Sequence, residues 1–391
     1  MNALRNYLLY VFLLLSIHVE AQDSITFFFA SQHCRDSVKA KLIHNVNSTI
    51  DLPLRNEHAA LWTGACWAME LMLYRPDGLK EKIPSHLSQL PSLDADLQRA
   101  YLEMVYTLYP IAFQKHVKRL LKRIENDKVK AMAWEYLLRG SNTMRWKKDK
   151  SIKASKYYPA FSYQRTSNRN DRPELIDFCD TSFLPGETVL CSFQYANRDK
   201  PGFLMIRKAD GSWMKNDQGQ PLRYAQLARS VTQLPFYLTN GNTPQGLYRI
   251  TGTAVSENAW IGPTENLQME LPFESGTKTF FENEADHLGY YQKLLGSKLV
   301  RYPGLFESFM AGELGRSEII AHGTTIDPAF YATEPYFPHT PSLGCLCSPE
   351  WWSENGTRMK SIQHEWMQAL QKLREKPRFL IVAELDEADG L

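Results

Sequence analysis

The chemistry most clearly written in this chain is a histidine and a cysteine, each set beside a glycine. His322 lies in Ala321-His322-Gly323-Thr324 and Cys345 in Ser342-Leu343-Gly344-Cys345. A cysteine is a good nucleophile near neutral pH only when something helps remove its proton, and an imidazole is the usual helper. Glycine directly before the cysteine lets the backbone turn sharply, so that N–H groups at Gly344 and Cys345 could face the oxygen of an attacked carbonyl. Losing one such donor costs about 3–4 kcal/mol in the barrier. Base, nucleophile and anion-stabilising backbone thus fall within one short stretch. On these residues alone a plainer reading stands beside it: His322 an ordinary strand-end histidine, Cys345 a structural thiol.

Other polar residues near the pair carry weaker signals. Ser342 orders the turn more readily than it reacts, and Thr324 follows the His-Gly step as a candidate substrate contact. His339, in Pro338-His339-Thr340-Pro341, could bind substrate from a proline-stiffened loop, or be a loop histidine with no role. Cys345-x-Cys347 has no second Cys/His cluster at ligand spacing, so no metal is expected, and the chemistry needs no cofactor.

Elements must hold these residues in place. From residue 23 to about residue 140 the pattern is helical. Residues 57–74 put Leu61, Ala65, Ala68 and Met72 on one face; residues 94–109 put Leu97, Tyr101, Val105 and Leu108 on another. Phe113, Val117, Leu121 and Ile124 continue the stripe, and residues 128–138 add Met132, Trp134 and Leu137. These aromatics and methionines read as core. Residues 141–172 interleave lysines with Trp146, Tyr157, Tyr158, Phe161 and Tyr163. That mixture can bind nucleic acid or stack on sugars, but it reads better as a linker whose aromatics pack on a neighbour.

From Gly186 the period shortens. Residues 187–195, 202–208, 236–239 and 247–254 are short and rich in Val, Phe, Tyr, Ile and Thr, with turn residues between them. Residues 262–315 form a long insertion with Leu288, Tyr291, Leu295 and Leu299 at helical spacing, of a length that usually lies over a site or makes a lid. Residues 357–375 predict a helix with Met359, Ile362, Trp366, Leu370 and Leu373 inward, and residues 379–385 a buried final strand. The expected fold class is therefore α+β. It comprises a signal peptide (1–21), a helical domain (22–140), a basic and aromatic linker (141–175) and a β-rich domain (176–391).

Composition narrows the setting. Arg5, an apolar run over residues 7–17 and Val19-Glu20-Ala21 read as a secretory signal, too short for a comfortable span of about 20 residues. The mature chain is then exported, to a periplasm or cell envelope, without a stable membrane span. With 391 residues, 43% of them hydrophobic, and a net charge of +2, the chain has room for two or three domains and lacks the basic excess of a nucleic-acid binder. Of the six cysteines, Cys179 and Cys191 flank Pro185-Gly186, a geometry suited to a hairpin disulfide, and Cys34 and Cys66 could pair nearer the N-terminus. Oligomeric state is not legible.

Two motifs in order give a resemblance. Ile319-Ile320-Ala321-His322-Gly323-Thr324, a Pro-rich loop and Ser342-Leu343-Gly344-Cys345-Leu346 resemble the active-site signature of the L,D-transpeptidases. Upstream, Gly241-Asn242-Thr243-Pro244-Gln245-Gly246-Leu247-Tyr248-Arg249-Ile250 resembles the Thr-Pro-x-Gly element of the same domain. The resemblance covers roughly residues 185–385. It departs where Leu343 replaces the motif's usual histidine and Cys347 its usual arginine or asparagine. It implies a cysteine transpeptidase acting on peptidoglycan stem peptides, with Cys345 as nucleophile, His322 as base and the Gly323 carbonyl holding the imidazole. The competing reading is an inactive cell-wall binding or scaffold module.

Overall fold

Apolar residues at three- and four-residue spacing fold the first third of the chain into helices α1 (Gln32–Ile50), α2 (Ala59–Leu71), α3 (Leu79–Gln89), α4 (Ala95–Leu108), α5 (Gln114–Leu121) and α6 (Asp127–Arg139). The computed structural model describes residues 25–139, 150–166 and 171–386; the leader expected over residues 1–21, and residues 141–149 and 167–170 of the basic stretch, lie outside them. Leu97, Tyr101, Val105 and Leu108 are all buried on α4. On α2 the buried face is rotated from the expected one. Leu61 is 54% exposed while Trp62, Ala65, Ala68 and Met69 are buried. The larger indole of Trp62 takes the inward position, edge-on to His86 and Tyr101.

The described part of the basic, aromatic stretch is helical too, in α7 (Lys150–Lys153) and α8 (Tyr158–Thr166). Tyr157 packs against Tyr237 and Phe161 against Trp134, with ring centroids 6.3 and 6.4 Å apart.

The rest of the protein is mixed helix and sheet. Its strands are β1 (Val189–Tyr195), β2 (Gly202–Arg207), β3 (Tyr224–Gln226), β4 (Gly246–Ala254), β5 (Asn266–Glu270), β6 (Ala321–His322), β7 (Leu346–Cys347), β8 (Glu350–Trp352), β9 (Arg358–Ser361) and β10 (Phe379–Leu385). One sheet runs β3-β2-β1-β10-β4-β5-β6-β7, and β8-β9 form a separate hairpin. The last strand, β10, enters the middle, parallel to β1 and antiparallel to β4.

Side-chain alternation divides the centre of this sheet between two cores. Leu190, Leu204, Leu380 and Val382 face the helices, in one apolar cluster with Trp62, Met104 and Trp134. Val189, Cys191, Phe193, Phe379, Ile381 and Ala383 face the other way, onto Phe280, Tyr291, Leu295 and Phe309. Burial on both faces explains why residues 379–385 read as continuous apolar sequence.

The second core is covered by α9 (Lys278–Phe281), α10 (His287–Leu299) and α11 (Glu307–Glu313). Residues 262–315 are therefore no lid: they supply β5 and then cover a sheet face, because their apolar stripe must be buried. Two other expectations change. Phe236, Tyr237 and Leu238 are core residues but sit in a turn, which Pro235 and the left-handed Asn240 (φ 59°) impose. Residues 358–361 are a strand paired with β8, so Met359 is 60% exposed. The helix, α12 (Ile362–Gln371), starts only where the Ser361 hydroxyl accepts from His364 N–H at 2.9 Å. All six cysteines are free thiols, so neither expected disulfide forms. Cys179 instead directs its thiol to the Leu175 carbonyl.

Candidate active site

The two short motifs meet because β6 and β7 pair in parallel, Ala321 beside Leu346 and His322 beside Cys347. Leu346 N–H donates to Ile320 O (3.0 Å) and Ser348 N–H to His322 O (2.9 Å). The His322 Nδ1–H donates to its neighbour's carbonyl, Gly323 O. A carbonyl can only accept, so the neutral ring carries its proton on Nδ1 and leaves Nε2 as the basic atom. Burial holds the His322 pKa below the usual imidazole value, the Gly323 bond opposing it.

Cys345 follows a turn that only glycine can make here. Gly344 has φ +119°, and a Cβ added to it would fall 2.2 Å from Arg316 Nη2 and 2.5 Å from Gly241 O. Ser342 Oγ stitches this turn, accepting Gly344 N–H (2.9 Å) and donating to Cys345 O (2.8 Å). The Gly344 N–H is therefore committed within the protein. Among the described residues Cys345 N–H makes no hydrogen bond and is the donor left for a developing oxyanion.

The upstream Gly-Asn-Thr-Pro element is bonded to the same turn. Thr243 Oγ1 donates to Gly344 O at 2.8 Å. Arg316, 5% exposed, donates to Asn242 O (2.9 Å), Gly241 O (2.5 Å) and Phe236 O, so its guanidinium lies between that element and Gly344. Burial draws its pKa down to about 10, which leaves it protonated near neutral pH beside the thiol. A lone arginine before a short strand carries no motif, and only the folded chain reveals this role.

The Cys345 thiol is partly buried. It donates to Glu318 O (3.5 Å) and accepts from Ile320 N–H (3.5 Å); among the described residues it has no hydrogen bond to His322. Burial raises its pKa, with the Ile320 N–H and Arg316 opposing. Thiol and imidazole are both neutral at rest. Cys347 is 3% exposed, its thiol pushed far up by burial.

His322 and Cys345 line one cavity of about 330 Å³. Its far wall comes from the helical region, through Trp67 and Leu71 of α2, and from Trp260 and Ile261 in the loop after β4. The Trp67 and Trp260 rings meet edge-on at 5.6 Å. No spacing in the sequence links these two tryptophans to residues near 322 or 345.

Leu343 and Ser342 reach the cavity, but His339 and Thr324 do not line it. Thr324 serves its own loop, its hydroxyl accepting Ile326 N–H and its carbonyl accepting from Trp352 Nε1. Among the described residues no group of three His, Cys, Asp or Glu side chains could hold a metal ion. A larger cavity, about 450 Å³, is lined in part by Asn242, Thr243 and Gln245. It is lined by the paired Arg165–Glu135 and Arg198–Glu384, with no Cys or His among its described lining residues.

The arrangement brings a thiol, an imidazole protonated on Nδ1 and one unbonded backbone N–H to a cavity with an aromatic wall. No protein-family model, curated protein or solved structure matches this chain.

Proposed function

We propose that the chain is a cysteine-dependent acyl transferase of the L,D-transpeptidase kind, exported to the cell envelope and acting on peptidoglycan stem peptides. The observation that carries this reading is the joining of three separate motif pieces. His322 and Cys345 share one cavity, and Thr243 of the upstream element bonds the carbonyl directly before the nucleophile. In this reading residues 176–391 form the catalytic domain, and the helical residues before them contribute its aromatic wall.

Cys345 Sγ attacks the carbonyl that follows an L-configured centre of a donor stem. His322 Nε2 takes the thiol proton and returns it to the leaving amine as the C–N bond breaks. The tetrahedral oxygen is stabilised by Cys345 N–H. An amine of a second stem, or water, then resolves the thioester, giving a cross-link or a shortened stem. A thioester reacts readily with amines, so no nucleotide is needed outside the cytoplasm. Among the described residues no helix is long and apolar enough to cross a membrane.

Purified protein incubated with isolated muropeptides, with products read by mass, tests the proposal. A dimer or a stem lacking its terminal residue is expected, and neither with Cys345→Ala. A second reading, a cell-wall binding module without turnover, is favoured by the resting sulfur's bonds to backbone rather than to His322. Retention on sacculi with no product and no acyl-enzyme mass would select it.

A further inference from the structure

We propose that Glu350 is a positioning residue that acts on His322 through the Gly323–Thr324 peptide bond. Glu350 opens β8, five residues beyond the candidate nucleophile, and its carboxyl group is buried. Its Oε2 accepts Thr324 N–H at 2.9 Å. The carbonyl of that same peptide unit, Gly323 O, accepts the His322 Nδ1–H. A single planar amide therefore stands between carboxylate and imidazole, gripped at its N–H by one and at its C=O by the other.

Two consequences follow from amide chemistry. Rotation of the peptide plane would break both bonds together, so Glu350 fixes where the imidazole acceptor points. The Glu350 oxygen pulling on the N–H also concentrates negative charge on the carbonyl oxygen, which strengthens the bond to Nδ1–H. Burial pushes the Glu350 pKa up, with the hydrogen bonds from Ser361, Thr264 and Thr324 and the charge of Arg358 opposing. The ring is held in the tautomer that leaves Nε2 free. This is the part an Asp or Glu plays when it touches the histidine directly in a catalytic triad, relayed here by one peptide.

The surroundings are built for this contact. A Cβ on Gly323 would fall 2.3 Å from the Glu350 carboxyl carbon, so glycine is required for the carboxylate to reach the amide. The other oxygen, Oε1, accepts from Thr264 Oγ1 (2.5 Å) and Ser361 Oγ (2.6 Å), and Arg358 Nη1 donates to Thr264 Oγ1 (2.9 Å). Three donors on one buried carboxylate, with an arginine behind them, aim it at a single peptide. Among the described residues, charged groups near the His322 loop and Cys345 include Glu350 and Arg358 at the peptide, Asp327 in the same loop, Arg316 and Glu318 in the cavity lining, and Glu274.

The inference rests on His322 being the base for Cys345, and it can be tested without any cell-wall substrate. The full chain and its variants are alkylated with iodoacetamide across the pH range, and the rate at Cys345 is followed by peptide mass. Glu350→Gln should slow the reaction near neutral pH by about tenfold, the low end of the loss seen when the hydrogen-bond partner of a metal-bound histidine is replaced. At alkaline pH, where the thiolate reacts unaided, its rate should rejoin that of the parent protein. In a His322→Ala background Glu350→Gln should have no further effect. An unchanged pH profile, or equal losses in both backgrounds, would overturn the relay. Should Glu350→Gln fail to fold, nitrogen-15 NMR of the unaltered protein decides: Nδ1-protonated neutral His322 supports the relay, and Nε2-protonated His322 refutes it. A relay that holds in a protein that turns over no muropeptide would sink the proposed function and leave this inference standing.

Discussion

The middle of the sheet and its β6–β7 edge are held together by different physics. β1 and β10 pair over seven residues, Val189–Tyr195 against Phe379–Leu385, and every side chain of β1 is buried. Each reads as a strand because both of its faces bury apolar area. β6 and β7 pair over only two residues each and carry the histidine and, one residue before β7, the cysteine. Ala321 and Leu346 are buried in the main core, but the β6–β7 ladder itself is only two residues long. Polar side chains add to that packing, with Thr243 and Arg316 on one flank and Glu350 on the other. The long ladder at the centre and the polar contacts around the reactive pair are thus different devices, although both rest on one core. On its other side β7 is bonded to Leu227, whose backbone exchanges both hydrogen bonds with Cys347, so the reactive pair sits in a short buried ladder supported by a polar network.

That difference can be probed deliberately, and the largest effect belongs to the base. His322→Ala should slow acylation of Cys345 near neutral pH by about a hundred- to ten-thousand-fold, the usual share of a positioned base. A mass-resolved acylation rate measures it. Next comes the core. Ile381→Ala should cost about 2–5 kcal/mol in urea unfolding while leaving the native-state alkylation rate of Cys345 unchanged. A parallel fall in reactivity would show that the edge depends on the centre.

Gly344→Ala lies on the border between the two. It forces a side chain into the left-handed region and against Arg316, so a loss of about 1–3 kcal/mol is expected, with slower acylation than that loss alone explains. The pH dependence follows from the two shifts. The Cys345 pKa is raised, so without His322 the thiolate route should keep climbing above the usual thiol range before levelling. The His322 pKa is lowered, so the imidazole stays a base to more acid pH than a free histidine, and the His-dependent route should fall away only below the usual imidazole range. An acylation profile over both ranges checks both signs. The smallest effect is expected at His339, which does not line the cavity. His339→Ala should change acylation by no more than about twofold, the scale of a substitution away from the chemistry.

Periodicity made the helices over residues 59–71, 95–108, 114–121 and 127–139 and the central strands legible, though not the helix over residues 79–89, because a buried face repeats every 3.6 or every two residues whatever it packs against. It failed in residues 236–239, where apolar side chains are core without being a strand, and at Met359, where a strand precedes the cap at Ser361. Local composition cannot tell a buried turn from a buried strand. Nor could it show that α2 is turned so that Trp62 is inward, since that depends on which side chain fills the space beside His86 and Tyr101.

The sequence by itself determined which residue types stand ready to react. His322 and Cys345 are next to glycines, and Thr243 lies in a turn-forming run, because those are local properties of the chain. Only the tertiary structure decided what surrounds them. Arg316 against Gly344, Trp67 of α2 facing Trp260, and Glu350 beneath the Gly323–Thr324 peptide are contacts between segments far apart in the chain or on different elements. Ser342 claiming the Gly344 N–H lies within four residues, yet it too needed the turn's geometry. Such contacts arise from burial and hydrogen-bond satisfaction across the whole molecule, and linear spacing does not encode them.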